Sequence, residues 1–279
     1  MSRLDDIKNR NNSILEEKPK ELALEVTDKF EVLKYMANKI ATKVNGHEVI
    51  LKGGAALMDR ILTFNPGLSR VTTDLDLYVA TEEVYCYIFN NILDILNDNE
   101  LGLKFSISEH RGRRGTGEGF KFSVENKIGI TQTFGIDMQV GQLGVINITP
   151  GVNINLDEYD NYTMLADKIT VVCSRKIFRR IKDIYDIYVL SMLQDYKMEV
   201  LVQTIKGKRP EFLESKRIMF RPDTMAELEH AYDKFTGIVN KPKFETVYNV
   251  SSNFVSPIYY GIDDGNICKI WRKGGSAWL

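Results

Sequence analysis

The chain has 279 residues, of which 37 are Lys or Arg and 38 are Asp or Glu, so its formal net charge is −1 with the histidines neutral. This near balance excludes a histone-like polycation, and 43% hydrophobic residues with only 7 prolines exclude a disordered or fibrous chain. A chain of this length can bury a large core, and we expect two domains, residues 1–160 and residues 161–279.

No stretch of the sequence reaches the ~18 uninterrupted apolar residues that a membrane-spanning helix needs, and residues 1–20 are charged without an apolar signal core. Cys86, Cys173 and Cys268 are far apart and form no CxxC pair, which is typical of a reducing compartment. The histidines are equally scattered, which argues against a His-based metal site. We therefore expect a cytoplasmic protein that does not contact a membrane.

The spacing of apolar residues predicts that helices and strands alternate through the first half of the chain. In chain order the predicted elements are a helix over 21–44, a strand over 48–52, a helix over 55–62, a strand over 74–79, a helix over 81–97, and strands over 104–109, 120–125 and 130–140. After these come helices over 162–173, 177–194, 197–205 and 223–239, then an aromatic, loop-like region from residue 241 onward. The expected fold class is α+β, a mixed sheet with flanking helices followed by a mainly helical domain.

Two aspartates stand two residues apart on the predicted strand over 74–79. Asp74 and Asp76 project from the same face because side chains alternate along a strand, and the leucines that follow them point to the core. Asp137, on the predicted strand over 130–140, is a third carboxylate that can reach this face. Such oxygen ligands suit Mg²⁺ or Mn²⁺, and two such ions can serve a phosphoryl or nucleotidyl transfer. Taken alone, the pattern is also typical of solubilising acids at a strand edge.

Gly53 and Gly54 join a predicted strand directly to a predicted helix. Their backbone N–H groups and the positive end of the helix dipole face outward, and residues without side chains let a phosphate chain approach closely. The pair therefore has the features of a triphosphate-binding turn. The alternative is a tight turn that needs glycine for its conformation alone.

Four segments of the chain together form a recognisable signature. Lys52–Arg60 carries the Gly-Gly pair, and Arg70–Leu77 reads Arg-Val-Thr-Thr-Asp-Leu-Asp-Leu. Leu165–Lys168 reads Leu-Ala-Asp-Lys, and Arg179–Tyr188 has the spacing R-x-x-x-D-x-x-D. In this order the segments resemble the GG, R-x-(S/T)-x-D-x-D, A-x-K and R-x-x-x-D-x-x-D signature of the AbiEii/AbiGii-type nucleotidyltransferase toxins. That family is a branch of the polymerase β-like nucleotidyltransferase superfamily, to which the MenT toxins are also similar.

The resemblance implies a metal-dependent enzyme with a polymerase β-like domain that moves a nucleotide from an NTP to an acceptor. Its role would be the toxin of a bacterial toxin–antitoxin, abortive-infection system in phage defence, with a cognate antitoxin as partner. The implied Mg²⁺ or Mn²⁺ ligands are Asp74, Asp76 and Asp137, and Asp137 has the alternative role of general base. The residues implied to bind the NTP phosphates are Gly53, Gly54, Arg70, Thr72 and Lys168. Lys168 and Asp183 would complete the catalytic set from the helical half.

Lys168 and Asp183 are 15 residues apart, which is about 22 Å along one unbroken helix. That distance is too long for both residues to serve one triphosphate directly. We therefore predict that the helix breaks between them, near Ser174, so that Asp183 folds back toward Lys168.

Positive charge is segregated along the chain. Residues 168–182 hold six basic residues and no acid, residues 104–121 carry a net +3, and residues 206–221 carry a net +4. Such regions beside an acidic metal site suit a polyanionic acceptor such as RNA, and the 3′ hydroxyl of a tRNA is the acceptor we expect. A solvated helix face is the alternative explanation of each run.

Two further hypotheses stay open. The same residues would serve a regulator that binds an NTP or RNA without turnover, or a phosphotransferase that moves the γ-phosphate to a protein. The sequence contains no P-loop, GxSxG or HExxH motif, so it gives no support to hydrolase or ATPase-motor classes.

Overall fold

The computed structural model describes residues 3–45, 47–98, 101–114, 117–141, 146–173, 180–208 and 220–279. Its helices are α1 (Arg3–Ala41), α2 (Gly53–Phe64), α3 (Glu82–Asn97), α4 (Asn161–Val172), α5 (Ile181–Ser191), α6 (Met198–Lys208), α7 (Pro222–Asp233) and α8 (Phe244–Asp264). Its strands are β1 (Val49–Lys52), β2 (Asp74–Val79), β3 (Lys104–Arg114), β4 (Gly117–Glu125), β5 (Thr131–Val140), β6 (Ile148–Pro150), β7 (Asp157–Tyr159), β8 (Tyr196–Lys197) and β9 (Ile270–Trp271). None of these helices combines the length and apolar character that a membrane crossing requires.

Seven strands form one mixed sheet in the order β3-β4-β5-β2-β1-β7-β6, and β8 and β9 form a separate pair. The central strand β2 is antiparallel to β1 and parallel to β5. β4 runs antiparallel between β3 and β5, and β7 runs parallel to β1. The expected mixed sheet with flanking helices is confirmed. Because β1 and β2 are antiparallel, the end of β1 and the start of β2 meet at one rim of the sheet.

One face of the central strands packs against helices. Leu75 and Leu77 on β2, and Ile136 and Met138 on β5, are buried, and α2 and α3 contact these strands. The alternation predicted for the strand over 74–79 is therefore confirmed. Burial of the hydrophobic set fixes the strand register, since a one-residue slip would move every side chain to the opposite face. Asp74 and Asp76, which alternate with the leucines, must then face away from this core.

The last third of the chain supports the loop that leads into β2. The amide of Val71 donates to the carbonyl of Gly237 at 2.7 Å, and the amide of Val239 donates to the carbonyl of Ser69 at 3.1 Å. These bonds hold the backbone on both sides of Arg70. A segment more than 160 residues away in sequence thus fixes the approach to the acidic strand.

The prediction that the chain is loop-like from residue 241 onward is wrong. Helix α8 occupies 21 residues there and contains Pro257 in its interior. Proline and several residues of low helix propensity obscure the periodic pattern, whereas tertiary packing stabilises the helix through buried residues such as Val247 and Phe254. The preceding helix is also shorter than predicted, because α7 ends at Asp233.

The junction near residue 160 is closely packed. Arg60 on α2 donates hydrogen bonds to the Asn161 side chain and the Tyr159 carbonyl, and it lies 3.2 Å from Glu158. The short strands β6 and β7, which the sequence pattern did not predict, extend the sheet up to this junction. The division into residues 1–160 and 161–279 stays a prediction.

Candidate active site

Asp76 lies against the glycine bend that follows β1. Lys52, the last residue of β1, pairs with Asp76 across the antiparallel ladder, and Gly53 then starts α2 with a φ of +69°. A Cβ added at Gly53 would overlap Oδ2 of Asp76. The bend therefore needs glycine for its left-handed backbone and also for the space that the carboxylate occupies.

Asp74 and Asp137 lie on the same face of the sheet as Asp76. Asp137 on β5 is the register partner of Asp76, and Asp74 is two residues earlier on β2. Both also lie over glycines of neighbouring strands, because a Cβ at Gly135 would overlap Asp74 Oδ1 and a Cβ at Gly119 would overlap Asp137 Oδ1. The sheet thus brings the three predicted metal ligands together in space that glycines leave open.

Burial changes the protonation of Asp76. Its pKa is raised to about 6, chiefly by burial and in addition by the negative charges of Asp137 and Asp74, while Lys52 and Lys168 oppose the shift. Within the described residues, no group of three or more His, Cys, Asp or Glu side chains is arranged to hold a metal ion by itself. Mg²⁺ seldom requires one, because proteins usually bind it through one or two carboxylates plus substrate phosphates and waters. The oxygen donors therefore fit Mg²⁺ or Mn²⁺ that shares its ligands with a bound NTP.

Arg70 and Thr72 flank Gly54, the second glycine of the bend. A Cβ at Gly54 would lie 3.0 Å from Arg70 Nη2 and 3.0 Å from Thr72 Oγ1. Nε and Nη2 of Arg70 also donate to the two carboxylate oxygens of Asp186 on α5, at 2.7 and 2.8 Å. The protein itself thus occupies one edge of the guanidinium. The contacts of Arg70 and Thr72 with phosphates stay predictions.

Lys168 on α4 reaches two carboxylates on α5. Its Nζ lies 2.7 Å from Asp183 Oδ1 and 2.8 Å from Asp186 Oδ2. This contact requires two separate helices, so the predicted helix break between Lys168 and Asp183 is confirmed. Ser174, near which we expected the break, lies outside the described residues.

Arg70, Asp186 and Lys168 form a buried ionic network. Burial alone would raise the pKa of Asp186, but Arg70 and Lys168 hold it below its usual range. Burial alone would lower the pKa of Lys168, but Asp186 and Asp183 hold it above its usual range. The network therefore remains charged near neutral pH, because each buried charge has a partner of opposite sign. The contacts with Asp183 and Asp186 also hold the Lys168 ammonium in one position.

A cavity of about 380 Å³ opens between the acid-bearing face of the sheet and helices α4, α5 and α6. Its polar lining includes Lys52, Asp76, Tyr78, Gln139, Lys168 and Asp183. Asp74 and Asp137 are not among the described lining residues, and they flank Asp76 instead. The cavity connects the acidic strand of the first half with the Lys168–Asp183 pair of the second, and its volume suits a nucleotide-sized ligand.

Comparison with known proteins decides the family. A family model described as nucleotidyl transferase AbiEii toxin, type IV toxin–antitoxin system, matches residues 34–250, well over half of the chain. The chain belongs to the AbiEii family. The resemblance inferred from the four motif segments is confirmed, and the chain is a nucleotidyltransferase of the type IV toxin–antitoxin class.

Two solved structures from Helicobacter pylori share the fold of this AbiEii protein. One, described as a candidate nucleotidyltransferase, has a TM-score of 0.54 and 12% sequence identity, over 87% of this chain and 98% of that chain. The other, JHP933, has a TM-score of 0.51 and 13% identity, over 87% of this chain and 94% of that chain. At such identities the similarity shows the fold alone. No curated protein matches the chain.

Sequence reasoning overlooked three residues of the AbiEii site. Asp186 was part of the quoted D-x-x-D spacing but was given no role, although it pairs with both Arg70 and Lys168. Tyr78 and Gln139 line the cavity two residues beyond Asp76 and Asp137. The same period-two alternation that selected the acids places both residues on their face, so the pattern could have found them.

Proposed function

We propose that this AbiEii-family chain uses Mg²⁺ or Mn²⁺ to transfer a nucleotide from an NTP to the 3′ hydroxyl of an RNA, with tRNA as the expected acceptor. The observation that carries the proposal is the convergence of Asp74, Asp76 and Asp137 on one face of the sheet beside the Gly53 bend. The cavity in front of Asp76 reaches Lys168, so a bound NTP would contact both halves of the chain.

In the proposed reaction the acceptor oxygen attacks the α-phosphorus of the NTP. A new phosphorus–oxygen bond forms, the bond from the α-phosphorus to the bridging oxygen breaks, and pyrophosphate leaves with the electron pair. The hydroxyl proton passes to Asp137, or to water if Asp137 serves as a metal ligand. Asp74 and Asp76 would hold the divalent metal, which supplies charge neutralisation at the phosphates when bound.

In the proposed reaction the glycine bend and Lys168 would hold the leaving pyrophosphate. Gly53 and Gly54 begin α2, so their amides and the positive end of the helix dipole meet at the acids. Lys168 has three N–H donors, and Asp183 and Asp186 engage it from one helix. We propose that its remaining donor contacts a β- or γ-phosphate, and that Asp183 and Asp186 position it for that contact.

The basic hairpin of β3 and β4 supports an RNA acceptor. Arg111 on β3 pairs with Gly119 on β4, which in turn pairs with Asp137 on β5. The backbone of β3 and β4 within the run of net +3 over residues 104–121 is therefore in register with an acid of the site, and we propose that this run attracts a nucleic-acid backbone. In each of the other two basic runs, three of the six basic residues lie within residues 174–179 or 209–219, outside the described part of the chain.

The proposed cellular role follows from the family. AbiEii proteins are toxins of type IV toxin–antitoxin systems, so we propose that a cognate antitoxin counteracts this enzyme and that the pair serves abortive infection in phage defence. NTPs and tRNA are cytoplasmic molecules, and we place the reaction in the cytoplasm for that reason.

The proposal is tested by label transfer. Purified protein is incubated with each NTP, labelled at the α- or the γ-phosphate, with Mg²⁺ and total RNA. We expect the α-label alone to enter RNA, and we expect Asp74→Asn together with Asp76→Asn to abolish transfer. Asp94→Asn, at an exposed position of α3, is the matched control and should retain activity.

The same assay separates the rival functions. Transfer of the γ-label to protein would identify a phosphotransferase. Tight NTP binding without any labelled product would identify a non-catalytic regulator. Either result, or α-label transfer that survives the double substitution, would contradict the proposal.

A further inference from the structure

Tyr78 has a buried hydroxyl that lacks a hydrogen-bond partner within the described part of the chain. The residue is only 5% exposed, and a phenolic O–H usually finds a partner when it is buried. An unpaired buried polar group costs free energy, so such a group in a native structure calls for a physical explanation. A ligand that completes the hydrogen bond is one explanation that the location of Tyr78 favours.

Tyr78 lines the cavity of the active site, on the side away from the glycine bend. It is two residues beyond Asp76 on β2, so both side chains lie on one face with Cα atoms roughly 6.6 Å apart. This separation is about the length of a ribose. A nucleotide whose α-phosphate lies at Asp76 would therefore place its sugar or base near the Tyr78 hydroxyl.

The cavity around Tyr78 is lined by both polar groups and apolar side chains. Lys52 Nζ donates to Gln139 Oε1 at 2.7 Å, which holds the amide of Gln139 in one orientation beside Tyr78. Met164 and Val171 on α4 supply apolar surface on the helical side of the cavity. Flat apolar faces with polar edges are the chemistry of a nucleobase and its sugar, and ligand pockets generally combine the same two kinds of surface.

We propose that this cavity binds a nucleoside beside Tyr78 and that the Tyr78 hydroxyl hydrogen-bonds a polar atom of its sugar or base. The inference deepens the proposed function, on which it rests for the identity of the ligand as a nucleotide. Two sources share this chemistry, namely the NTP and the terminal nucleoside of the acceptor RNA. The NTP is the nearer source, because the acids that would hold its phosphates are on the same strand.

The test uses Tyr78→Phe, which removes the hydroxyl and keeps the ring. Equilibrium binding to the full-length protein is measured with three probes, namely a non-hydrolysable NTP with Mg²⁺, inorganic tripolyphosphate with Mg²⁺, and RNA alone. We expect the variant to bind the NTP analogue about 5- to 100-fold more weakly, the range for one lost hydrogen bond to a buried group. Tripolyphosphate should bind both proteins equally, since it has no nucleoside.

Thermal unfolding separates a ligand-binding role from a structural one. Removing a hydroxyl that has no partner in the described part of the chain should leave the melting temperature of Tyr78→Phe unchanged or raised. Tyr35→Phe is the matched control, because the Tyr35 hydroxyl donates to the carbonyl of Leu96 at 3.0 Å. That variant should lose stability and keep the affinity for all three probes.

The outcomes distinguish this inference from the proposed function. Weaker binding of RNA alone would assign the nucleoside site to the acceptor. Unchanged affinity for both the NTP analogue and RNA would overturn the inference, even in a protein that transfers nucleotides. Weaker NTP binding in a protein that transfers no nucleotide would uphold it and overturn the proposed function.

Discussion

The glycine beneath Asp74 offers a way to displace one carboxylate without changing any charged group. Gly135 lies on β5 next to Asp74, and a Cβ at this position would overlap Asp74 Oδ1. Gly135 has no positive φ, so alanine fits its backbone. The substitution Gly135→Ala therefore acts on the position of the carboxylate.

The size of the effect follows from the required displacement. Asp74 Oδ1 must move by about 1 Å to reach an ordinary van der Waals distance from the new methyl group. A misplacement of about 1 Å in an active site can lower the rate by about 100-fold, which corresponds to about 2.7 kcal/mol of transition-state stabilisation. Alanine is also more favourable than glycine within a strand, by roughly 0.5–1 kcal/mol, so the variant should remain folded.

The assay is kcat/KM for nucleotide transfer, with urea unfolding as the test of folding. Asp94→Asn, at an exposed position of α3, is again the control, because it lies neither on the acidic strands nor on the basic hairpin. We expect the control to keep wild-type activity and Gly135→Ala to lose about two orders of magnitude. Wild-type activity in Gly135→Ala, or an equal loss in both variants, would refute the role assigned to the position of Asp74.

Two further predictions concern buried ionisable side chains. Arg70→Lys keeps the charge but loses the two-pronged contact with Asp186, so urea unfolding should show a loss of about 1–3 kcal/mol, and an unchanged midpoint would contradict this. Burial raises the pKa of Glu158 to about 9, so the folded state keeps a proton that the unfolded state releases above about pH 4.5. The free energy of unfolding of the wild-type protein should fall as the pH rises from 6 to 8, by up to about 1.4 kcal/mol per pH unit. The substitution Glu158→Gln should reduce this pH dependence. The control Glu227→Gln, at an exposed position, should leave it unchanged.

The sequence was sufficient where a local pattern fixes the position of a side chain. Period-two alternation in β2 places Asp74 and Asp76 on one face and their leucine neighbours in the core. The Gly-Gly pair marks a bend that only glycine fits, as the +69° φ of Gly53 confirms. The helix break between α4 and α5 follows from simple length, since one straight helix would separate Lys168 from Asp183.

The remainder depends on contacts between distant parts of the chain. Arg70 and Asp186 are 116 residues apart, and no local pattern shows that they form a buried pair. Helix α8 contains a proline and is stabilised mainly by the residues that it buries, so its propensity alone did not indicate a helix. That the Tyr78 hydroxyl has no partner among the described residues is visible only once the cavity around it is known.

The most direct test of the metal site is anomalous diffraction from crystals of the protein grown with Mn²⁺ and a non-hydrolysable NTP. We predict an anomalous peak at coordination distance, about 2.1 Å, from carboxylate oxygens of Asp74 and Asp76, with the triphosphate at the Gly53–Gly54 bend. A triphosphate bound elsewhere, or manganese that contacts neither aspartate, would contradict the account of this site as a metal-dependent nucleotidyltransferase centre.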